Sequence, residues 1–135
     1  REAALKTLYL FEVGQTTAQQ AIGSYFREHD PKASEDVKAF ASELVYGTSN
    51  ERFDLDKALE PHLTGWRLDR LSQVDRNILR LGAYELLCRF DVPAGVAIDE
   101  AIEIAKRFGT DESATFVNGV LDHIAGAVGA KEGRP

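Results

Sequence analysis

The residues that could carry catalytic or metal chemistry are few in this chain. Cys88 is the single cysteine among 135 residues, which excludes an internal disulfide and a Cys-x-x-Cys redox pair. His29, His62 and His123 are scattered and lack the i, i+4 spacing that places two metal ligands on one face of a helix. No paired nucleophile and base is evident either. We therefore expect a buried, unreactive thiol at Cys88 and neither a metal, a cofactor nor an active site.

The stretch FVNGVLD, residues 116–122, offers a different chemistry. Asn-Gly between apolar residues is typical of a two-residue hairpin turn. At 100° per residue, however, the neighbouring apolar residues fall within one arc, which indicates a helix with Asn118 and Gly119 facing outward. The residues of that arc are Val117, Val120, Leu121, Ile124 and Val128.

Phe116 lies at the edge of this apolar arc and shares a stripe with Gly119, its neighbour at i+3. A glycine inside a helix costs about 1 kcal/mol relative to alanine, so its presence suggests that something approaches this surface closely. An accessible ring beside a bare glycine suits stacking of an unpaired base, with the Asn118 amide available for hydrogen bonds. In the alternative interpretation, Phe116 folds over another helix and Gly119 only admits a neighbouring backbone.

Composition and charge limit the class of protein to which this chain can belong. The chain has a net charge of -6, with 44% hydrophobic and 28% charged residues, as expected for one globular domain. No segment is apolar enough to span a membrane and no signal-peptide pattern is present, which predicts a cytoplasmic location. The negative charge argues against nucleic-acid binding through a broad basic surface. Because the chain contains no Met and begins at Arg1, we expect the natural start to lie upstream.

Apolar residues recur at helical spacing along almost the whole chain, which predicts an all-α fold of about seven helices. We expect Trp66 to fill the space between two groups of helices, and Glu85 to accept hydrogen bonds from the backbone or from Arg80. A single domain is expected over residues 1–129, followed by a flexible tail, 130–135. The predicted helices cover residues 2–13, 17–29, 34–61, a short one within 62–72, 73–90, 95–109, and a last one that begins at Asp111 or Ser113.

Three long segments resemble the NusB family of bacterial transcription antitermination factors. They are AALKTLYLFE, GWRLDRLSQVDRNILRLGAYELL and DVPAGVAIDEAIEIAKRFGTDESATFVNGVLD. The resemblance spans nearly the whole chain, in order and at the family's spacing. It implies two three-helix groups packed across each other and no enzymatic activity. It also implies a heterodimer with NusE, a ribosomal small-subunit protein, that binds single-stranded boxA RNA and joins the RNA polymerase elongation complex with other Nus factors, notably on rRNA operons. Some members of the family form homodimers.

The resemblance also implies which residues form the binding surfaces. On the RNA side we expect Arg1, Lys6, Tyr9, Arg80, Glu112, Phe116 and Asn118. On the NusE side we expect Tyr9, Asp75 and Arg76. The family carries an arginine-rich arm at its N-terminus, of which only the last residue, Arg1, is present here. Without that arm, a chain of net charge -6 is expected to bind RNA poorly by itself.

Two other functions remain open from the sequence. The N-terminal domain of rRNA cytosine methyltransferases also resembles NusB, so the chain could be the RNA-docking domain of such an enzyme. It could also be a helical protein-interaction module that makes no contact with RNA.

Overall fold

The computed structural model describes residues 1–14 and 16–127, and for residues 12–14 it describes the backbone alone. These residues form helices and no strand, in agreement with the predicted all-α class. The helices are α1 (Glu2–Gly14), α2 (Ala18–His29), α3 (Glu35–Asn50), α4 (Arg52–Leu59), α5 (Gln73–Cys88), α6 (Ala94–Phe108) and α7 (Ser113–Ala127), with 3-10 turns at Glu60–His62 and Leu68–Arg70. The tail predicted at 130–135 lies outside the described residues.

Side-chain caps define several helix starts. Thr17 accepts a hydrogen bond from the Gln20 backbone N–H at 3.1 Å, while its own N–H donates to the Gln20 side chain at 3.2 Å. Ser34 caps α3 and Ser72 caps α5 in the same way through their hydroxyl oxygens. Each cap satisfies a backbone donor that has no partner inside the helix, so the starts predicted at Thr17 and Ser34 are confirmed.

The helices form the two groups that the resemblance implies. Helices α1, α2 and α3 pack on one another, as do α5, α6 and α7, and α5 also contacts α1, α3 and α4. Helix α5 is buried on nearly all sides, with Ile78, Leu79 and Leu86 each at most 1% exposed. This helix therefore joins the two groups into one core.

The single long helix predicted over residues 34–61 is wrong. The chain leaves helical geometry at Glu51, where φ is -96° and ψ is 9°, and this break separates α3 from α4. The apolar stripe keeps its phase across the break, so Leu55 and Leu59 point inward while Phe53 is 70% exposed. Helix α5 likewise ends at Cys88, two residues before the predicted end.

Candidate functional site

A groove on the outer side of α1 contains two of the predicted site residues. Tyr9 is 47% exposed and lines the groove together with Lys6. The Lys6 ammonium lies 5.2 Å from the centroid of the Phe108 ring and 3.3 Å from a carboxylate oxygen of Glu2. The groove has a volume of 540 Å³, and its other lining residues are Leu5, Leu10, Tyr25, His29, Gln73, Val74 and Asn77. It offers aromatic surface with a cation at the rim.

Phe116 lies where the sequence places it, at the rim of the core. Its ring is half-buried, while Asn118 and Gly119 are exposed. A Cβ added at Gly119 would meet nothing within 4 Å, so no neighbouring backbone uses this glycine for close packing. The predicted helical phase of FVNGVLD is confirmed, and the surface beside the Phe116 ring is open.

Trp66 is the largest departure from the sequence analysis, because it is 60% exposed rather than packed between the helical groups. Thr64 and Gly65 both have positive φ, 31° and 81°, and this left-handed turn directs the indole outward. The Trp66 ring packs edge-to-face on Phe116, with 6.5 Å between the ring centroids. In the sequence, the polar and glycine residues beside Trp66 could have predicted that its side chain is exposed. Two adjacent aromatic rings are thus accessible on this face.

The start of α5 lies beside Trp66 and carries the predicted partner-binding residues Asp75 and Arg76. Arg76 donates a hydrogen bond to the Leu71 carbonyl at 3.1 Å. One carboxylate oxygen of Asp75 is shielded from solvent and has no hydrogen-bond partner among the described residues. Arg76 and Trp66 line a second groove, of 1020 Å³, together with Phe11, Arg52, Asp56, Glu60, Arg67, Leu68, Asp69, Gln73 and Arg80. Because Gln73 lines both grooves, they adjoin at the start of α5.

Two arginines that were predicted to bind RNA form ion pairs within the protein. Arg80 is 5% exposed and donates two hydrogen bonds to Asp56, at 2.8 and 3.0 Å. Arg1 donates to both carboxylate oxygens of Glu85, at 2.9 Å each, a partner that the sequence analysis did not anticipate. These contacts give both arginines a structural role, and a direct contact of either with RNA stays a prediction.

The other predicted RNA contacts differ in their positions around α7. Glu112 is exposed one turn before Phe116, and its carbonyl accepts the Phe116 N–H at 3.1 Å. Asn118 follows Phe116 by two residues, so the two side chains diverge by about 160° around the helix. The structure therefore brings Glu112 to the Phe116 face and leaves Asn118 on another face.

The surroundings of the single cysteine, Cys88, do not activate its thiol. Cys88 is exposed at the end of α5, so the expected burial is wrong. Partial burial raises the pKa of the Cys88 thiol, and the carboxylates of Glu51 and Asp54 raise it further, which disfavours the reactive thiolate.

His62 and His123 are brought together, with 6.2 Å between ring centroids. Within residues 1–14 and 16–127, no three His, Cys, Asp or Glu side chains form a group that could hold a metal. No helix in the same ranges is long and apolar enough to cross a membrane.

Comparison with known proteins identifies the family. The NusB family pattern matches residues 1–126. The chain belongs to the NusB family. The transcription antitermination protein NusB of Sorangium cellulosum (strain So ce56) is 46% identical over 131 residues, which cover 96% of this chain and 91% of that protein.

Solved structures of NusB proteins have the same fold. T. maritima NusB superimposes with a TM-score of 0.84 at 40% identity, covering 98% of this chain and 89% of that one. A chain in the crystal structure of antitermination factors NusB and NusE in complex with dsRNA superimposes with a TM-score of 0.84 at 27% identity. That match covers 93% of this chain and 92% of the other.

Proposed function

We propose that this chain is a transcription antitermination factor that binds boxA RNA jointly with NusE and joins the RNA polymerase elongation complex with other Nus factors. Membership of the NusB family and the similarity to a chain in a complex of NusB, NusE and RNA support this function. The observation that carries it is the accessible Phe116 ring, which packs on Trp66 beside the open surface of Gly119. Because nascent RNA and the polymerase are cytoplasmic in bacteria, the protein acts there.

The charge of the chain explains why a partner is needed. The net charge is -6, and several of the guanidinium groups are already paired with carboxylates. Such pairs hold Arg1, Arg67, Arg80, Arg89 and Arg107. Contact with phosphates supplies most of the non-specific affinity for RNA, so this chain lacks much of that contribution. A basic partner such as NusE would supply it beside the aromatic surface.

The surface proposed for NusE is the start of α5. Asp75 is half-buried at this helix start. A lysine or arginine of a basic protein would be attracted to this carboxylate, whereas an RNA phosphate would be repelled by it. Arg76 follows directly, and Tyr9 lies across Gln73 in the adjoining groove. The partner would thus be positioned between the groove that Tyr9 lines and the Trp66 and Phe116 rings.

Phe116→Ala tests the RNA contact. If the ring stacks on a base, the substitution weakens boxA binding in the presence of NusE by about 1 to 3 kcal/mol. The melting temperature should change little, because the ring is only half-buried. Phe53→Ala is the control, since it removes the same kind of ring from α4, where Phe53 is 70% exposed. A melting temperature that collapses while RNA binding per folded molecule is unchanged would assign Phe116 to the core.

NusE dependence tests the joint mechanism in the same assay. Fluorescence titration of labelled boxA should give a much lower dissociation constant with NusE present than with this chain alone. Equal affinities in the two titrations would contradict the mechanism. Because stacking on Phe116 requires an unpaired base, single-stranded boxA should also bind more tightly than the same sequence in a duplex. Equal binding of the duplex would show that the contact is with the RNA backbone.

The alternative function, RNA docking for an rRNA methyltransferase, is less well supported. The chain covers 91% of the Sorangium antitermination protein, so that relative has no room for a second domain of catalytic size. The relatives named as antitermination proteins therefore favour the first function.

A further inference from the structure

Two pairs of rings join α7 to the segment that precedes α5. Trp66 packs on Phe116 with ring centroids 6.5 Å apart, and His62 lies against His123 with centroids 6.2 Å apart. Phe116 and His123 are seven residues apart on α7, which is nearly two full turns, so their side chains share one face. The two pairs therefore line the same side of the helix in succession.

The surface between the two pairs is open. Gly119 lies on the same stripe, three residues after Phe116 and four before His123, and a Cβ at this position would meet nothing within 4 Å. The rise of an α-helix places Phe116 and His123 about 10.5 Å apart along the axis. This distance corresponds to about three base steps of 3.4 Å in a stacked strand. The face is therefore long enough for more than one nucleotide.

The chemistry of the second pair suits RNA. Bases stack on histidine as they do on phenylalanine and tryptophan, and a histidine ring N–H can also donate to a base edge or a phosphate. A metal ion is a weaker interpretation, because the described residues provide no third ligand beside these imidazoles. An apolar protein segment would leave the imidazole nitrogens without hydrogen bonds.

We propose that His62 and His123 form a second nucleotide-binding position that extends the RNA path along α7 beyond Phe116. This inference rests on the proposed function, since it assigns RNA to the Phe116 face. The path runs from the Trp66 and Phe116 rings, across Gly119, to the imidazole pair. The two histidines bind a nucleotide that flanks the segment held at Phe116.

The test compares RNAs of two lengths in the presence of NusE. One is the minimal boxA segment, and the others carry three additional unpaired nucleotides at the 5′ or the 3′ end. For the wild-type chain, one of the extended RNAs should bind at least about 5 times more tightly than the minimal RNA, which is the lower end of what one stacked base contributes. The double variant His62→Ala/His123→Ala should lose this gain and bind the minimal RNA as the wild type does.

Two controls make the result specific. His123→Phe should retain most of the gain if stacking provides it, and Phe53→Ala, which removes an exposed ring on α4, should retain all of it. Circular dichroism should give unchanged melting curves for the double variant, because His123 is exposed and His62 is only half-buried.

The outcomes separate this inference from the proposed function. If neither RNA binds in the presence of NusE, the proposed function fails and the inference falls with it. If the minimal RNA binds but no extension adds affinity, or the double variant keeps the gain, the inference is overturned while the function stands. Stoichiometric Zn²⁺ binding in calorimetry that the double variant abolishes, without any gain from the longer RNAs, would assign the pair to a metal and also overturn it.

Discussion

The ion pair between Arg80 and Asp56 shows what a single charged residue contributes inside this fold. The Arg80 side chain is 6% exposed and that of Asp56 is 24% exposed, and two hydrogen bonds of 2.8 and 3.0 Å join them. Removal of one partner from such a pair weakens the compensation of a buried charge, which can cost more than the pair contributes. Arg80 thus stabilises the contact between α4 and α5, whatever further contact it makes.

Asp56→Ala should therefore lower the free energy of unfolding by about 2 to 3 kcal/mol, somewhat less than for a fully buried pair because Asp56 is partly exposed. Urea denaturation followed by circular dichroism measures this loss. Asp69→Ala is the matched control, since Asp69 pairs with Arg67 at 3.0 Å but both side chains are more than 60% exposed. The control should cost less than about 1 kcal/mol. Equal losses for the two variants would contradict the structural role of Arg80.

At the scale of the helix, glycine has opposite roles at different positions. Gly47 of α3 lies directly under the Tyr84 ring of α5, and a Cβ at this position would overlap the ring. Gly23 of α2 faces open space, where a Cβ would meet nothing within 4 Å. Gly47 therefore permits α3 and α5 to approach closely, whereas no close contact between helices requires a glycine at the position of Gly23.

Gly47→Ala should destabilise the protein by about 1 to 3 kcal/mol, because the cost of overpacking exceeds the gain of about 1 kcal/mol in helix propensity. Gly23→Ala, which makes the same chemical change, should stabilise it by up to about 1 kcal/mol. Thermal melts of the two variants measure the difference. If both variants melted above the wild type, the close contact of α3 and α5 would not be important for stability.

Helix positions followed from the sequence where the apolar spacing was regular. The core side of α7 and the caps at Thr17 and Ser34 depend on contacts within one helix, so they could be read from residue spacing. The break at Glu51 could not, because the apolar spacing of α3 continues across it to Leu55 and Leu59 and does not indicate where the helix is interrupted. The outward position of Trp66 depends on the φ angles of Thr64 and Gly65, which spacing does not encode.

The candidate site was partly predictable for the same reason. The exposure of Phe116 and Gly119 followed from their own helix, and the positions of Tyr9 and Asp75 came from the family resemblance. The contacts of Phe116 with Trp66 and of His62 with His123 join segments that are distant in the sequence. The pairing of Arg1 with Glu85 also joins distant segments, from the residue before α1 to α5. Tertiary contacts of this kind need the assembled fold.

At the scale of the whole molecule, α5 makes the two helical groups interdependent. It packs on α6 and α7 in its own group, and on α1 and α3 in the other. Leu79, in the middle of α5, is 0% exposed and belongs to the continuous core. A domain with one shared core usually unfolds in a single cooperative transition. We therefore expect neither group to remain folded when the other unfolds.

Hydrogen exchange measured by mass spectrometry at increasing urea concentrations tests this expectation. Peptides from α2 and from α7 should lose protection at the same urea midpoint. Leu79→Ala should cost about 2 to 5 kcal/mol and lower both midpoints equally, because the cavity forms in the helix that both groups share. Val96→Ala is the control, since Val96 is apolar but 45% exposed, and it should shift neither midpoint by more than about 0.5 kcal/mol. If α7 stayed protected at a urea concentration that unfolds α2, the two groups would be separate folding units, and the RNA and partner surfaces could then be destabilised independently.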